Sequence, residues 1–315
     1  MRAIAIEKFG GPELLEEMDL PRPRPEKGEI LIRVVAAGVN PVDWKIREGY
    51  LKELMPHAFP LIPGWDVAGV VEEHGEGATR FRRGDRVWAY ARKPTVQWGC
   101  YAECVAVPEE HVALMPTKLL FEEAASIPLA ALTAYQALFG KPALVSGSKV
   151  LVHAAAGGVG HFAVQLAANA GAEVIGTAGP TNQAFVLELG AGGSIDYTKE
   201  DFVEAARRLC TDGFDLVLDA VGGETLAKSF ELVKPGGRLV SIVEEPNGAK
   251  AREHGIGVHF IFVEPSAEQL GILTRLVDRN ELATHVQKIY PLAEAAEAQK
   301  ELASGHVRGK LVLNL

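Results

Sequence analysis

Short runs in which apolar and polar residues alternate, or β-branched residues cluster, fill the first 120 residues: AIAIE at 3–7, EILIRVVAAGV at 29–39, DVAGVVEE at 66–73, DRVWAY at 85–90 and YAECVAVP at 101–108. Pro and Gly break these runs at short intervals, so residues 1–120 predict an irregular, mostly β domain shaped like a distorted barrel. From residue 121 the pattern changes. KVLVHAA, AEVIGTA, FDLVLDAV and GRLVSIV are buried-type strands separated by stretches of helical length, as right-handed βαβ units require. Residues 121–279 therefore predict a doubly wound parallel sheet, with VHFIFVEPS at 258–266 as its last strand and a helix from Ala267 to about Asp278. The remainder, 280–315, reads as strand, helix, strand and is assigned back to the first domain. The fold class is α/β, and a cleft between two domains is the expected place for a ligand.

Composition narrows the partners. At 315 residues, with 48% hydrophobic and 23% charged residues, the chain is an ordinary globular protein large enough for two domains. A net charge of −9 and a pI near 5.6 give no basic field to concentrate nucleic acid or anionic lipid. The alternating start MRAIAIEKFGGPE does not have the layout of a signal peptide, and no apolar run is long enough to span a bilayer. Cys100, Cys104 and Cys210 form neither a disulfide framework nor a CxxC pair, which suits a reducing compartment, and the cytoplasm is the expected location.

The strongest chemical signal is KVLVHAAAGGVGHFAVQLAANAGAEVIGTA, a strand, a Gly-rich turn, an amphipathic helix and a second strand within about 30 residues. Aligned on the pattern G-x-G-x-x-G, Ala155 takes the first position, Gly157 lets the backbone approach a pyrophosphate and Gly160 lets helix pack on strand. The turn Ala156, Gly157, Gly158, Val159 and Gly160 is the candidate cradle, with helix amides from near Gly158 and Val159 facing the phosphates. After the second strand the chain reads Gly176-Thr177-Ala178-Gly179-Pro180-Thr181-Asn182, with no carboxylate to repel a 2′-phosphate. NADPH is thus favoured over NADH, with Thr177, Thr181 and Asn182 as local contacts to the 2′-phosphate, Ala178 also in the cofactor site, and Tyr197 either a contact from outside the loop or a half-buried turn tyrosine. Val221 and Gly222, and Ser241, Ile242 and Val243, follow two further strands, at the carboxyl ends where the ring half of the cofactor is expected.

Nine segments in order, AAGVNPVDWKIREG, PGWDVAGVV, GDRVWAY, GCYAECVAVP, AASIPLAALTAYQAL, AAAGGVG, DAVGGETL, KPGGRLVSI and GHVRGKLVL, resemble the zinc-independent quinone oxidoreductase branch of the medium-chain dehydrogenase/reductase superfamily. The resemblance runs end to end. It implies a GroES-like β domain joined to a Rossmann domain, and a homodimer formed through the edge of the cofactor-binding sheet. Zinc alcohol dehydrogenases of the same superfamily hold a catalytic metal where this chain resembles them at Asn40, at Gly64-Trp65-Asp66 and near Thr133. Amide and indole cannot replace thiolate and imidazole there, and three scattered cysteines cannot build a four-thiolate structural site, so no metal is expected. None of the nine histidines pairs in HxH or HxxxH spacing.

Without a Lewis acid, a suitable acceptor delocalises the incoming hydride's charge itself, as a quinone or an enone does. The resemblance implies that Asn40 and Thr133 are catalytic and touch the nicotinamide, and that Arg308 and Lys310 border the cofactor. An Asn stabilising the turn before Pro41 and a mid-helix Thr bonded to its preceding turn are the structural alternatives. Asp43 reads as a cap or turn residue. Tyr50, Tyr90 and Tyr101 are candidate proton donors, and Trp44, Trp65 and Trp98 candidate walls for an apolar acceptor. Reduction of the carbon-carbon double bond of alkenals or enones, and non-catalytic NADPH binding, stand beside quinone reduction as readings.

Overall fold

The strand Glu29–Val39 is the spine of the N-terminal half, with every residue but Arg33 and Val35 buried. One edge pairs antiparallel with Asp66–His74; the other is shared by Cys104–Pro108 and Lys310–Asn314. Arg86–Tyr90 and Val112–Leu114 extend the sheet past Asp66–His74, and Val286–Pro291 joins Lys310–Asn314 in parallel, making seven strands. Ile30, Ile32, Val67, Val87, Val105, Leu311 and Leu313 fill the core beneath. The alternation noted along these runs is what the curved sheet needs, since one face of each strand must meet that core.

The computed structural model describes residues 1–140 and 144–315. These form two compact units, Met1–Leu132 with Pro265–Leu315, and Thr133–Glu264. Residues 121–132 and 265–279, expected with the parallel sheet, group with the first unit instead. Their polar groups explain this: Leu129 N–H donates to Asp66 Oδ1 at 2.7 Å, Thr274 Oγ1 donates to Leu114 O at 3.0 Å, and Thr117 N–H donates to Asp278 Oδ1 at 2.9 Å. The division falls inside the helix Pro128–Phe139.

The second unit is a six-stranded parallel sheet whose spatial order is Gly193–Asp196, Glu173–Ala178, Lys149–Val152, Phe214–Asp219, Val233–Ser241, Gly257–Phe260. Numbered along the chain this is 3-2-1-4-5-6, the Rossmann order, in which ligands bind beyond the carboxyl ends where the winding reverses. Five strands coincide with the apolar runs. Gly193–Asp196 does not announce itself, because an edge strand of four residues opening on Gly and Ser needs no continuous apolar run. The helix Gly160–Asn169 is buried on all sides from Gly160 to Ala167 rather than amphipathic, since its alanines and glycine let neighbours close around it. Gly176 serves the same end, for a Cβ there would lie 2.6 Å from Val186 Cγ1 and 2.7 Å from Ala155 Cβ.

Candidate active site

In the first unit the sheet delivers five polar side chains to one buried spot. Asn40 ends the central strand and precedes the helix Pro41–Arg47; its own side chain does not cap that helix. Asp43 does so in reverse, its Oδ2 accepting from Asn40 N–H at 2.8 Å and from the Tyr101 hydroxyl at 2.9 Å. That frees the Asn40 amide to turn inward, where Nδ2 donates to Asp66 Oδ2 at 2.9 Å. Lys310, at the start of the C-terminal strand, donates from Nζ to Asn40 Oδ1 and, at 2.9 Å, to Val39 O. Antiparallel pairing of Leu311 with Val39 and of Asp66 with Gly38 sets these approaches. Gly38 is required there, since a Cβ would come within 2.3 Å of Ala125 O and 2.9 Å of Asp66 Cβ.

All five side chains lie within the interior; Asn40 is 1% and Lys310 3% exposed. Burial pushes the Asp43 carboxyl up to about 7, aided by the Asp66 charge and opposed by the hydrogen bonds from Asn40 and Tyr101 and by Lys310. Burial likewise raises Asp66 to about 6, against Lys310 and the donors Asn40 and Leu129. Lys310 is pushed down by burial and held up by the two carboxylates. Tyr101 is pushed well above its usual range, first by burial and then by Asp43. A phenol so placed donates to Asp43 and is no ready acid for a ligand. Tyr90 is also buried, and Tyr50 is 63% exposed.

The donor set does not suit a zinc ion. At two of the three positions where zinc relatives supply ligands stand a carboxamide already bonded to an ammonium and a carboxylate, and the buried indole of Trp65. Among the described residues no cluster of three His, Cys, Asp or Glu side chains has metal-binding geometry.

In the second unit the strand Lys149–Val152 runs into the glycine-rich turn expected to cradle a pyrophosphate. Ala154 takes φ +50°, a left-handed conformation, and Gly157 N–H closes back on Ala154 O at 2.9 Å. A Cβ on Gly160 would sit 2.1 Å from Ala154 O, so only glycine lets the helix start there. A Cβ on Gly157 would meet that oxygen at 3.2 Å, a tighter contact than an ordinary one but less severe than that at Gly160. His161 Nδ1–H donates to Gly157 O at 2.8 Å and keeps that carbonyl turned into the helix. The helix begins at Gly160, one to two residues later than the sequence suggests, because the turn through Val159 is needed to reverse the chain.

Thr177 faces the interior, its Oγ1 3.2 Å from His153 Nδ1, rather than the loop that follows. Ala178 is buried and its carbonyl accepts from Gln183 Nε2 at 2.7 Å. Asn182 ends the turn Pro180–Asn182. Tyr197 is 56% exposed, and its hydroxyl is the nearest group to Gly179, 3.6 Å from where a Cβ would be. At the carboxyl ends of the next two strands, Asp219 accepts from Val221 N–H at 3.1 Å, Gly222 N–H at 3.0 Å and Ser241 Oγ at 2.8 Å. Ile242 N–H donates to Asp219 O at 3.1 Å. Val221 and Val243 project as exposed apolar groups, while Ser241 is buried as a support. Thr133 is buried in mid-helix, and Arg308 is half-buried, its N–H donating to Gln287 Oε1 at 2.7 Å. The structure thus joins Asn40 to Lys310 and groups 221–222 with 241–243. The organising residues Asp219 and His153 were not singled out from sequence, although a charged or polar residue ending a buried apolar run is the signal each gives; Asp66 entered only as part of the segment that departs from a zinc site, and it opens the run Asp66–His74.

Residues 26–117 match the family model of the alcohol dehydrogenase GroES-like domain, and 189–313 that of a zinc-binding dehydrogenase. The human quinone oxidoreductase is 33% identical over 100% of this chain and 98% of its own length. A crystal structure of the Escherichia coli quinone oxidoreductase complexed with NADPH superimposes with a TM-score of 0.90 at 29% identity, covering all of both chains. One of an NAD-dependent alcohol dehydrogenase does so with a TM-score of 0.91 at 32% identity, again covering both chains fully. The chain therefore belongs to the medium-chain dehydrogenase/reductase superfamily, in its quinone oxidoreductase branch, and is an NAD(P)-dependent oxidoreductase.

Proposed function

We propose that this protein is an NADPH-dependent, zinc-independent quinone oxidoreductase. The observation that carries this reading is the commitment of Asn40 to Lys310 and Asp66 where zinc relatives hold a metal, which leaves an alkoxide without a Lewis acid and favours an acceptor that spreads its own charge. The E. coli relative's NADPH and the carboxylate-free loop Gly179–Asn182 support NADPH over NADH.

When bound, the reduced nicotinamide supplies a hydride. The amides at the Ala156–Gly160 turn bind the pyrophosphate with the positive end of the helix behind them. Thr177, Ala178, Asn182 and Tyr197 flank the adenosine end, with Tyr197 and Asn182 better placed than Thr177 to meet a 2′-phosphate. Val221 and Val243 give the ring an apolar floor that Asp219 holds in place by fixing the backbone of 221–222 and Ser241. Asn40 and Thr133 are assigned the contacts with the reacting groups, and each is almost closed to solvent within its own unit. Arg308 borders the cofactor, and solvent supplies the proton to the reduced acceptor. Three buried free thiols support a cytoplasmic location, and the exposed edge strand Gly257–Phe260 supports a homodimer.

Turnover of a naphthoquinone and an acrolein-like enal with NADPH and NADH side by side tests the reading. NADPH is expected to exceed NADH at least tenfold in kcat/KM on the quinone, chelation to leave the rate unchanged, and Gly179→Asp to invert the coenzyme preference. Higher turnover of the enal, preference for NADH or a stoichiometric zinc requirement would overturn it; tight NADPH binding without turnover would mark a non-catalytic binder.

A further inference from the structure

An Asn side chain in a protein interior has two orientations related by a flip, and its surroundings select one. Around Asn40 the selection is electrostatic on both sides. Oδ1 faces the Lys310 ammonium, a group with donors only, and Nδ2 faces Asp66, a carboxylate that also accepts from Leu129 N–H at 2.7 Å. The flipped amide would set NH₂ against ammonium and carbonyl oxygen against carboxylate, losing two charge-assisted hydrogen bonds at once. Lys310 is itself held, since Nζ also donates to Val39 O at 2.9 Å.

We propose that Lys310 is a positioning residue for the reaction: with Asp66 it locks the Asn40 carboxamide so that a bound ligand meets an N–H donor. Asp66 takes one Nδ2 hydrogen, and the second is assigned to the ligand. Such a donor selects an oxygen that gains negative charge, the carbonyl of a quinone or enone acceptor, and its bond strengthens as hydride arrives. The charge of Lys310 adds to this by polarising the amide it holds. The inference rests on the reading of Asn40 given under the proposed function.

The test is a cycle of Lys310→Met, Asn40→Ala and the double variant, with three readouts: naphthoquinone kinetics, NADPH affinity from nicotinamide fluorescence, and solvent exchange of the Asn40 side-chain amide by NMR. K310M is expected to lower kcat at least tenfold with NADPH Kd changed less than threefold. The double variant should be no slower than N40A alone, because Lys310 acts through Asn40. The amide protons, slow to exchange in the parent, should exchange freely in K310M. Unchanged kcat in K310M, losses that multiply in the double variant, or unchanged amide protection would each overturn the proposal. If the parent reduces no quinone while K310M still frees the amide, the functional reading fails and the clamp stands. Thermal midpoints accompany every variant; should K310M not fold, the isosteric Asp66→Asn is read in the same way from the other side of the clamp.

Discussion

His153 shows how much a single buried side chain contributes at the residue scale. Its Nε2 is 3.0 Å from Ser229 Oγ and its Nδ1 3.2 Å from Thr177 Oγ1. Because the Ser229 hydroxyl donates to Thr225 O at 2.6 Å, it accepts from Nε2–H, and Nδ1 accepts from Thr177. The ring is neutral; burial pushes it down to about 4 against the attraction of Asp219. The unfolded chain takes up this proton near pH 6.5, so the contribution is whole above that pH and is lost as pH falls towards 4, by at most about 3 kcal/mol. Asp43 and Asp66, raised above the ordinary carboxylate range, act with the opposite sign, adding stability as pH falls from about 7 towards 4. Urea unfolding at pH 7 and 4.5 separates them: His153→Asn should lose about 2 kcal/mol less on acidification than the parent, and Asp43→Asn should lose more. Equal pH dependence in all three would refute the assignment. Neither effect was legible in the sequence, where KVLVHAA reads as a strand and GWDVAGVV as a departure from a metal site. A hydrogen-bonded cluster assembled from residues 40, 43, 66, 101 and 310 has no local spacing to betray it.

At the scale of elements, the strand, turn and helix of the cradle were legible because each glycine answers a steric demand set by its neighbours. The roles of Gly160 and Gly157 differ, and substitution separates them. Gly160→Ala forces a methyl to 2.1 Å from a backbone oxygen, so the turn itself must move, and a loss of about 3 kcal/mol in unfolding free energy is expected. Gly157→Ala meets that oxygen at 3.2 Å, which a small shift relieves at about 1 kcal/mol. Its methyl stands instead in the proposed pyrophosphate approach, so NADPH affinity should fall at least tenfold with the fold intact. Calorimetry and fluorescence titration of both variants check this, and similar affinity in G157A and the parent would place the phosphates elsewhere. What the pattern did not disclose are elements specified from outside themselves. Gly193–Asp196 is a strand because Ile175–Ala178 offers it a parallel partner. The segments 121–132 and 265–279 have helical sequences that suit either unit, and long-range bonds such as that between Leu129 and Asp66 decide their place.

For the molecule as a whole, the six-stranded sheet ends on the side of Gly257–Phe260 in an edge that, among the described residues, pairs only with Val233–Ser241. Three of its four residues are exposed, and Phe260 and Phe262 keep 42% and 39% of their surface in solvent. An open edge with aromatic residues beside it is a template for another strand, and a second copy of the same edge would satisfy it in a closed two-fold assembly. Parallel pairing fixes which amides are on offer. Ile261 N–H donates inward to Ser241 O at 2.9 Å, so by alternation the N–H groups of Val258 and Phe260 point away from the sheet. Phe260→Pro therefore removes one outward donor and one exposed ring while leaving the inward ladder whole. Light scattering is expected to give about twice 33.8 kDa for the parent and the single-chain mass for F260P, with the Ala156–Gly160 turn left intact because it follows Lys149–Val152, a strand that Gly257–Phe260 does not pair with. A monomeric parent would show that the edge is protected by its own shortness, and a dimeric F260P would move the interface to another surface.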